Sequence, residues 1–240
     1  MNISRGFRWY TAALSLIALA IFVPAGNATT LVPGQSVCAS GCTFTPIEDF
    51  AAGFFFTSPI ADTGPLAFTA NSGTFSGTLE EWVVQDLNTG DLDFLYQVVN
   101  SSGSADAIEH MSVTGYSGYT TDVGFCSNPG GGGAFPCGNP LGGSGTLAPS
   151  FIVHSSGSVV DFSFLTAGIA PGVQTYDLVI KTNAEYYGSG TANLIDGGVT
   201  SLTTYAPTTA TPEPATTGLF LGGVFGVGLF VARKFRVQQN

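Results

Sequence analysis

Positive charge is almost absent from this sequence: six lysine and arginine residues occur in 240, against 16 acidic residues. Five of the six stand near the two ends, and Lys181 is the only one between residues 29 and 211. That stretch holds 15 of the 16 acids, so its formal charge is −14. A segment of this charge repels phosphate backbones. Nucleic acids are therefore excluded as partners. The segment also has too few cations to form a binding site for an anionic substrate.

Histidine is equally scarce, with His110 and His154 the only two. A Ser-His-Asp hydrolase needs a histidine beside an activated serine and an acid, and the chain has no Gly-x-Ser-x-Gly elbow. We interpret both histidines as strand or surface residues. The adjacent acids Glu80 and Glu81 would point to opposite faces of a strand and could not act on one bond together. We assign no catalytic residue and expect that the protein is not an enzyme.

The first 28 residues are typical of a secretory signal peptide. Arg5 and Arg8 precede an uncharged apolar run at 12–23, which is short for a membrane span. Small residues follow a proline, and we predict cleavage after Ala28. The alternatives are an N-terminal core helix or a retained membrane anchor.

A second apolar stretch lies near the other end. Residues 207–214 form a polar linker that ends in Pro212-Glu213-Pro214, and 215–232 are 18 residues without a charge. As a helix this stretch would span roughly 27 Å, about the hydrocarbon core of a bilayer. The tail 233–240 carries a basic cluster that would stay in the cytoplasm, made of Arg233, Lys234 and Arg236. The pattern predicts an outside domain, one transmembrane helix and a short inside tail.

The three parts TPEPAT, GLFLGGVFGVGLFVA and RKFR together resemble the PEP-CTERM sorting signal. The resemblance covers about the last 30 residues of the chain. It implies that an exosortase is a partner, recognising Pro212, Glu213 and Pro214 and cleaving near them. The protein would then pass through the inner membrane and reach the cell surface or extracellular matrix. The alternative is an ordinary stalk above a permanent single-pass anchor.

Residues 29–206 have the pattern of one all-β domain. Thr78 to Asp86 and Asp91 to Asn100 read as strands joined by a hairpin turn, and the second alternates apolar and polar residues as a half-buried strand does. Many short strands with Gly, Asn and Ser turns predict an antiparallel β-sandwich, Ig-like or jelly-roll-like. Segments such as LDFLYQVVN also look like the body of a recurrent group of PEP-CTERM proteins, which implies no chemistry. Further predicted strands are 108–114, 149–154, 159–165, 175–182, 191–196 and 199–205.

Four cysteines in an exported chain favour two disulfides, for which three connectivities exist. We prefer the local pairings Cys38 to Cys42 and Cys126 to Cys137. The second would close a glycine-rich loop and stabilise the fold by roughly 2–3 kcal/mol. The alternative, a zinc site of four thiolates, fits poorly because the second pair is widely spaced.

One loop concentrates oxygen ligands and raises the question of calcium: Asp86, Asn88, Asp91 and Asp93. It departs from the EF-hand pattern at its fifth, sixth and twelfth positions. We therefore prefer a simple hairpin turn and expect no cofactor, with a structural calcium ion as the alternative.

We place four tyrosines in Gly- and Ser-rich loops, where they could stack on sugars or could instead cover the sandwich core: Tyr116, Tyr119, Tyr186 and Tyr187. Three hypotheses follow. The preferred one is a non-catalytic surface or matrix protein in the envelope or exopolysaccharide layer. A carbohydrate- or calcium-binding adhesin is the second, and a polysaccharide-active hydrolase is the third.

Overall fold

The computed structural model describes residues 30–38, 45–50, 56–127, 145–155, 157–165 and 167–209. The predicted signal peptide, the Pro-Glu-Pro motif, the transmembrane helix and the basic tail lie outside these residues. Among the described residues, no helix is long and apolar enough to cross a membrane.

Fifteen strands account for most of the described chain. In chain order they are β1 (Thr30–Leu31), β2 (Ser36–Cys38), β3 (Thr45–Pro46), β4 (Glu48–Asp49), β5 (Ala61–Asp62), β6 (Leu66–Thr69), β7 (Ser76–Gln85), β8 (Leu92–Asn100), β9 (His110–Thr114), β10 (Thr121–Cys126), β11 (Phe151–His154), β12 (Val159–Ser163), β13 (Asp177–Ala184), β14 (Tyr186–Asp196) and β15 (Gly198–Thr208).

The strands form two sheets. Sheet I has the order β1-β10-β13-β8-β7-β5, with β4 beside β10 and β6 beside β7. Sheet II has the order β15-β14-β9-β12-β11-β2-β3. Within these sheets the pairings are antiparallel except for β4 with β10 and β2 with β3. The all-β prediction is confirmed, and the two sheets are consistent with a β-sandwich.

Alternate residues of both sheets share one hydrophobic core. On β8 the core-facing residues are Leu92, Phe94, Tyr96 and Val98, as the alternation predicts. Met111, Val113, Val160, Phe162 and Leu194 contribute from sheet II. The hairpin between β7 and β8 is also confirmed: Gly90 adopts a φ of 82° and its N–H donates to the Asp86 carbonyl at 2.8 Å.

The prediction that β8 is half-buried is wrong, because its other face is buried too. Leu95 on that face belongs to a second apolar cluster on the outside of sheet I, with Phe50, Phe56, Trp82, Val84, Cys126 and Val179. Phe50 and Phe56 come from the chain before β5. Gly124 of β10 permits this cover, since a Cβ there would collide with the Glu48 backbone and the Phe50 ring.

Strand β10 is the main element that the sequence pattern did not predict. Asp122 and Gly124 interrupt its apolar alternation, although Asp122 is buried and Gly124 is needed for close approach. The predicted strands nearest the linker were too short, since β14 begins at Tyr186 and β15 runs to Thr208. The last strand among the described residues therefore ends four residues before Pro212.

Candidate functional site

The structure separates the four tyrosines that could stack on sugars. Tyr116 is fully buried, so the hypothesis that it binds sugar is wrong and the core-covering alternative holds. Tyr119 is half-buried. Tyr186 and Tyr187 are exposed, but they lie in strand β14 and not in a loop. Tyr187 packs edge-to-face on Tyr205 with ring centroids 5.3 Å apart.

His110 and Asp161 form a polar pair on the outer face of sheet II. His110 Nδ1 lies 3.1 Å from Asp161 Oδ1, and both side chains are about one third exposed. Ser163 stands opposite His110 in the pairing of β12 with β9. Its hydroxyl is buried and makes no hydrogen bond within the described residues. A nucleophile activated by a base requires a hydrogen bond between them, so this arrangement lacks the contact that defines a triad.

His154 is buried between the sheets and acts as a clasp. It ends β11 in sheet II, while its Nδ1 lies 3.0 Å from Thr121 Oγ1 and 3.1 Å from the Leu31 carbonyl, both in sheet I. The Thr121 hydroxyl donates to the same carbonyl at 2.7 Å. These contacts join two sheets at the first described strand. The interpretation of His154 as a strand residue is confirmed.

Glu81 is a buried carboxyl to which no sequence pattern assigns a role. It faces the core from β7, and its Oε2 accepts a 2.6 Å hydrogen bond from the backbone N–H of Tyr205 in β15. Burial raises the pKa of Glu81 to about 8, partly offset by that N–H and by the Tyr96 hydroxyl. Glu80, its neighbour, is not buried in the core.

Two tyrosine hydroxyls extend the Glu81 site into the core. Tyr96 and Tyr116 are hydrogen-bonded through their oxygens at 2.7 Å, and both rings are fully buried. Burial, and then the charge of Glu81, raises the pKa of both hydroxyls well above their usual range. The network is therefore neutral when Glu81 is protonated. It satisfies polar groups that would otherwise be stranded in an apolar core.

The outer face of sheet I carries the other charged cluster. Lys181 Nζ lies 2.8 Å from Asp86 Oδ2 and 5.7 Å from the centre of the Phe50 ring. Lys181 also pairs in register with Asp122 on one side and Asp93 on the other. Burial alone lowers the pKa of Lys181, but the Asp86 hydrogen bond and the three carboxylate charges raise it overall.

Asp93 is held against the strand that carries Lys181. Its Oδ1 accepts a 3.0 Å hydrogen bond from the Thr182 N–H, while Oδ2 is buried and makes none within the described residues. Burial raises the pKa of Asp93 well above its usual range, against the opposing effects of that N–H and of Lys181.

The calcium candidates do not converge in this geometry. Asp86 and Asp93 are buried, whereas Asn88 is exposed and Asp91 is half-exposed. Asp86 Oδ1 accepts the Asn88 N–H at 2.7 Å, as in an Asx turn, and Oδ2 meets Lys181. Among the described residues no group of three or more His, Cys, Asp and Glu side chains is placed to hold a metal ion.

The cysteines lie at strand ends. Cys38 ends β2 in sheet II and Cys126 ends β10 in sheet I, and neither is a free thiol. Cys42 and Cys137 lie outside the described residues, so the pairings Cys38 to Cys42 and Cys126 to Cys137 stay predictions.

The predicted sorting residues, and the cleavage position after Ala28, also lie outside the described part of the chain. The sorting set comprises Pro212, Glu213, Pro214, Arg233, Lys234 and Arg236. No protein-family model, curated protein or solved structure matches this chain.

Proposed function

We propose that this chain is an exported, non-catalytic β-sandwich of the Ig-like or jelly-roll-like kind, displayed at the cell surface or in the exopolysaccharide layer. A signal peptide of residues 1–28 would deliver it. A tail that resembles the PEP-CTERM signal would hold it in the inner membrane until an exosortase cleaves near Pro212. The mature protein would then have a structural or interaction role in the envelope.

The position of β15 relative to the sorting motif is the observation that carries this proposal. The last strand ends at Thr208, only four residues before Pro212. Two flanking prolines would favour an extended conformation at Glu213 that a processing enzyme could enter. A folded domain joined so closely to the motif is the arrangement expected of a cargo that is carried by its tail.

The edge of β15 supports a role as a monomeric displayed domain. Val199 exchanges hydrogen bonds with Asn71, whose N–H donates to the Val199 carbonyl and whose Oδ1 accepts the Val199 N–H. The Glu81 carboxyl accepts a hydrogen bond from the Tyr205 N–H, and Pro207 has no backbone N–H to donate. Edge strands blocked in this way resist pairing with other chains.

The most buried polar groups also support a non-catalytic role. Glu81 and His154 each bind a backbone group of the opposite sheet, and Lys181 with Asp86 forms an ion pair on sheet I. Each of these groups stabilises the sandwich through a contact already made.

Cell fractionation tests the proposal. We expect the wild-type protein at the cell surface or in the medium. A variant with Pro212, Glu213 and Pro214 all changed to alanine should accumulate in the inner membrane. Recovery of both proteins intact in the cytosol would contradict the proposal.

A carbohydrate-binding adhesin is the second candidate, favoured by the outer face of sheet II. Ser201 Oγ donates to Asn193 Oδ1 at 2.6 Å, and Asn193 Nδ2 donates to Ser112 Oγ at 3.5 Å, forming a polar row across three strands. The exposed rings of Tyr186 and Tyr187 lie on the same hairpin. Loss of exopolysaccharide binding in Tyr187→Ala, with binding kept in Tyr119→Ala, would favour this function.

A polysaccharide-active hydrolase is the third candidate, and it rests on the His110 and Asp161 pair alone. Hydrolysis by the wild type that disappears in His110→Ala and in Ser163→Ala would favour it. We expect no such activity, because the Ser163 hydroxyl does not contact the ring.

A further inference from the structure

Lys181 and Asp86 meet on the outer face of sheet I in a setting that favours more than an ion pair. The two lie on different strands, Lys181 on β13 and Asp86 directly after β7, with β8 between them. Their Nζ and Oδ2 atoms are 2.8 Å apart. The Asp86 side chain is 1% exposed and the Lys181 side chain 23%.

Apolar side chains share the outer face of sheet I with the pair. Trp82, Val84, Leu95 and Val179 belong to the cluster on this face, and the Phe50 ring lies 5.7 Å from Lys181 Nζ. In such surroundings the two charges lose part of their hydration, and each depends on the other for compensation.

A second carboxyl stands beside the pair. Asp93 lies on β8, between the two strands, and is the register neighbour of Lys181. Its Oδ1 is anchored by the Thr182 N–H at 3.0 Å, and its Oδ2 is buried without a hydrogen bond within the described residues. It is therefore placed to exchange a proton with reacting groups next to it.

We propose that Lys181 and Asp86 condense into an intramolecular amide, an isopeptide bond between Nζ of Lys181 and Cγ of Asp86. The ion pair seen in the structure is the state from which this bond forms. The proposal is independent of the proposed function, because it concerns a covalent modification of the sandwich and not its destination.

The reaction balances without any co-reactant. The ammonium first gives one proton to the Asp86 carboxylate, which leaves a neutral amine and a carboxylic acid. The nitrogen lone pair then forms the C–N bond at Cγ, and the C–O bond to the hydroxyl breaks. The nitrogen loses a second proton, the departing oxygen gains it, and one water molecule leaves. Nothing is oxidised or reduced.

Asp93 is the group that moves the second proton. It accepts a proton from the nitrogen as the C–N bond forms and gives one to the departing oxygen, so it ends as it began. Burial raises the pKa of Asp93, which favours the protonated form from which this exchange begins. The product would tie β13 to the end of β7 across β8.

Trypsin digestion can test for this bond at a single site. Lys181 is the only lysine or arginine between Arg8 and Arg233, so trypsin can cut the denatured chain between those two residues only after Lys181. A lysine whose Nζ is acylated is not a trypsin site. We therefore expect the denatured, reduced full-length protein to resist cleavage at Lys181 and to weigh one water less than its sequence requires. Cleavage after Lys181 together with the full mass would overturn the proposal.

Three variants of the full-length protein identify the reacting groups. Lys181→Arg keeps a cation but cannot form the amide, and should have its full mass. Asp86→Asn removes the carboxylate that accepts the first proton and should keep its full mass. Asp93→Asn keeps the ion pair and should remain at full mass. Loss of water in Lys181→Arg would place the dehydration at another site and overturn the assignment.

Discussion

Glu81 in sheet I and Tyr205 in sheet II are joined by a 2.6 Å hydrogen bond from the Tyr205 backbone N–H to the Glu81 carboxyl. The contact closes the free edge of β15 onto the core of the other sheet. Because β15 leads into the linker with the Pro-Glu-Pro motif, this bond lies close to the point where the sandwich meets its tail. Protonation of the Glu81 carboxyl should affect the free energy of unfolding of the sandwich.

Replacing Glu81 with glutamine should remove a pH dependence of stability. Burial raises the pKa of Glu81 from 4.5 to about 8 in the folded protein. The folded state thus binds more protons than the unfolded state between these values, and the free energy of unfolding falls as pH rises through them, by about 1.4 kcal/mol per pH unit. We would measure the free energy of unfolding by urea denaturation at pH 4, 6 and 9. Between pH 4 and pH 9, the value for Glu81→Gln should rise relative to the wild type by a few kcal/mol, on the order of 3–5.

Glu80→Gln is the matched control for that experiment. Glu80 is the adjacent residue on the opposite face of β7 and is mostly outside the core. Its replacement should change the free energy of unfolding by no more than about 0.5 kcal/mol at any of the three pH values. Equal effects of the two substitutions would contradict the role given to Glu81.

Thr121→Val should weaken the clasp around His154. The substitution keeps the shape of the side chain but removes the hydroxyl that donates to the Leu31 carbonyl and contacts the His154 ring. We expect a loss of about 1–2 kcal/mol in the free energy of unfolding, measured by urea denaturation. The exposed neighbour Thr120 is the control, and Thr120→Val should be close to neutral. A neutral Thr121→Val would show that the clasp does not stabilise the sandwich.

Gly124→Ala should disturb the cover on the outer face of sheet I. A Cβ at this position meets the Glu48 backbone and the Phe50 ring, so the covering segment must move away from β10. We expect a loss of about 1–3 kcal/mol and greater exposure of Trp82, seen as a change in tryptophan fluorescence. Gly103, which has open space around it, supplies the control: Gly103→Ala should leave both readouts unchanged.

The sequence predicted the strands well because their alternation records which face is buried. Residues Leu92 to Val98 show this for the core side of β8. Alternation could not predict that Leu95 is also covered, because that cover depends on a segment far away in the chain, around Phe50. For the same reason β10 escaped notice, since its Asp122 and Gly124 are buried by partners that no local pattern reveals.

The candidate sites depended even more on tertiary contacts. The sequence showed that Lys181 is isolated among acids, but only the register of β13 with β8 and β10 places it beside Asp93 and Asp122. The sequence placed Glu80 and Glu81 on opposite faces of a strand but gave Glu81 no partner. Its partner, the Tyr205 N–H, comes from 124 residues away, so no local signal could have found it.

Processing at both ends of the chain is the central prediction, and mass spectrometry of the termini tests it directly. In cells with an exosortase we expect a mature protein that begins at Thr29 and ends near Pro212. In cells without the enzyme the same N-terminus should be joined to an intact tail. A protein from exosortase-positive cells that still ends at Asn240 would contradict the sorting assignment.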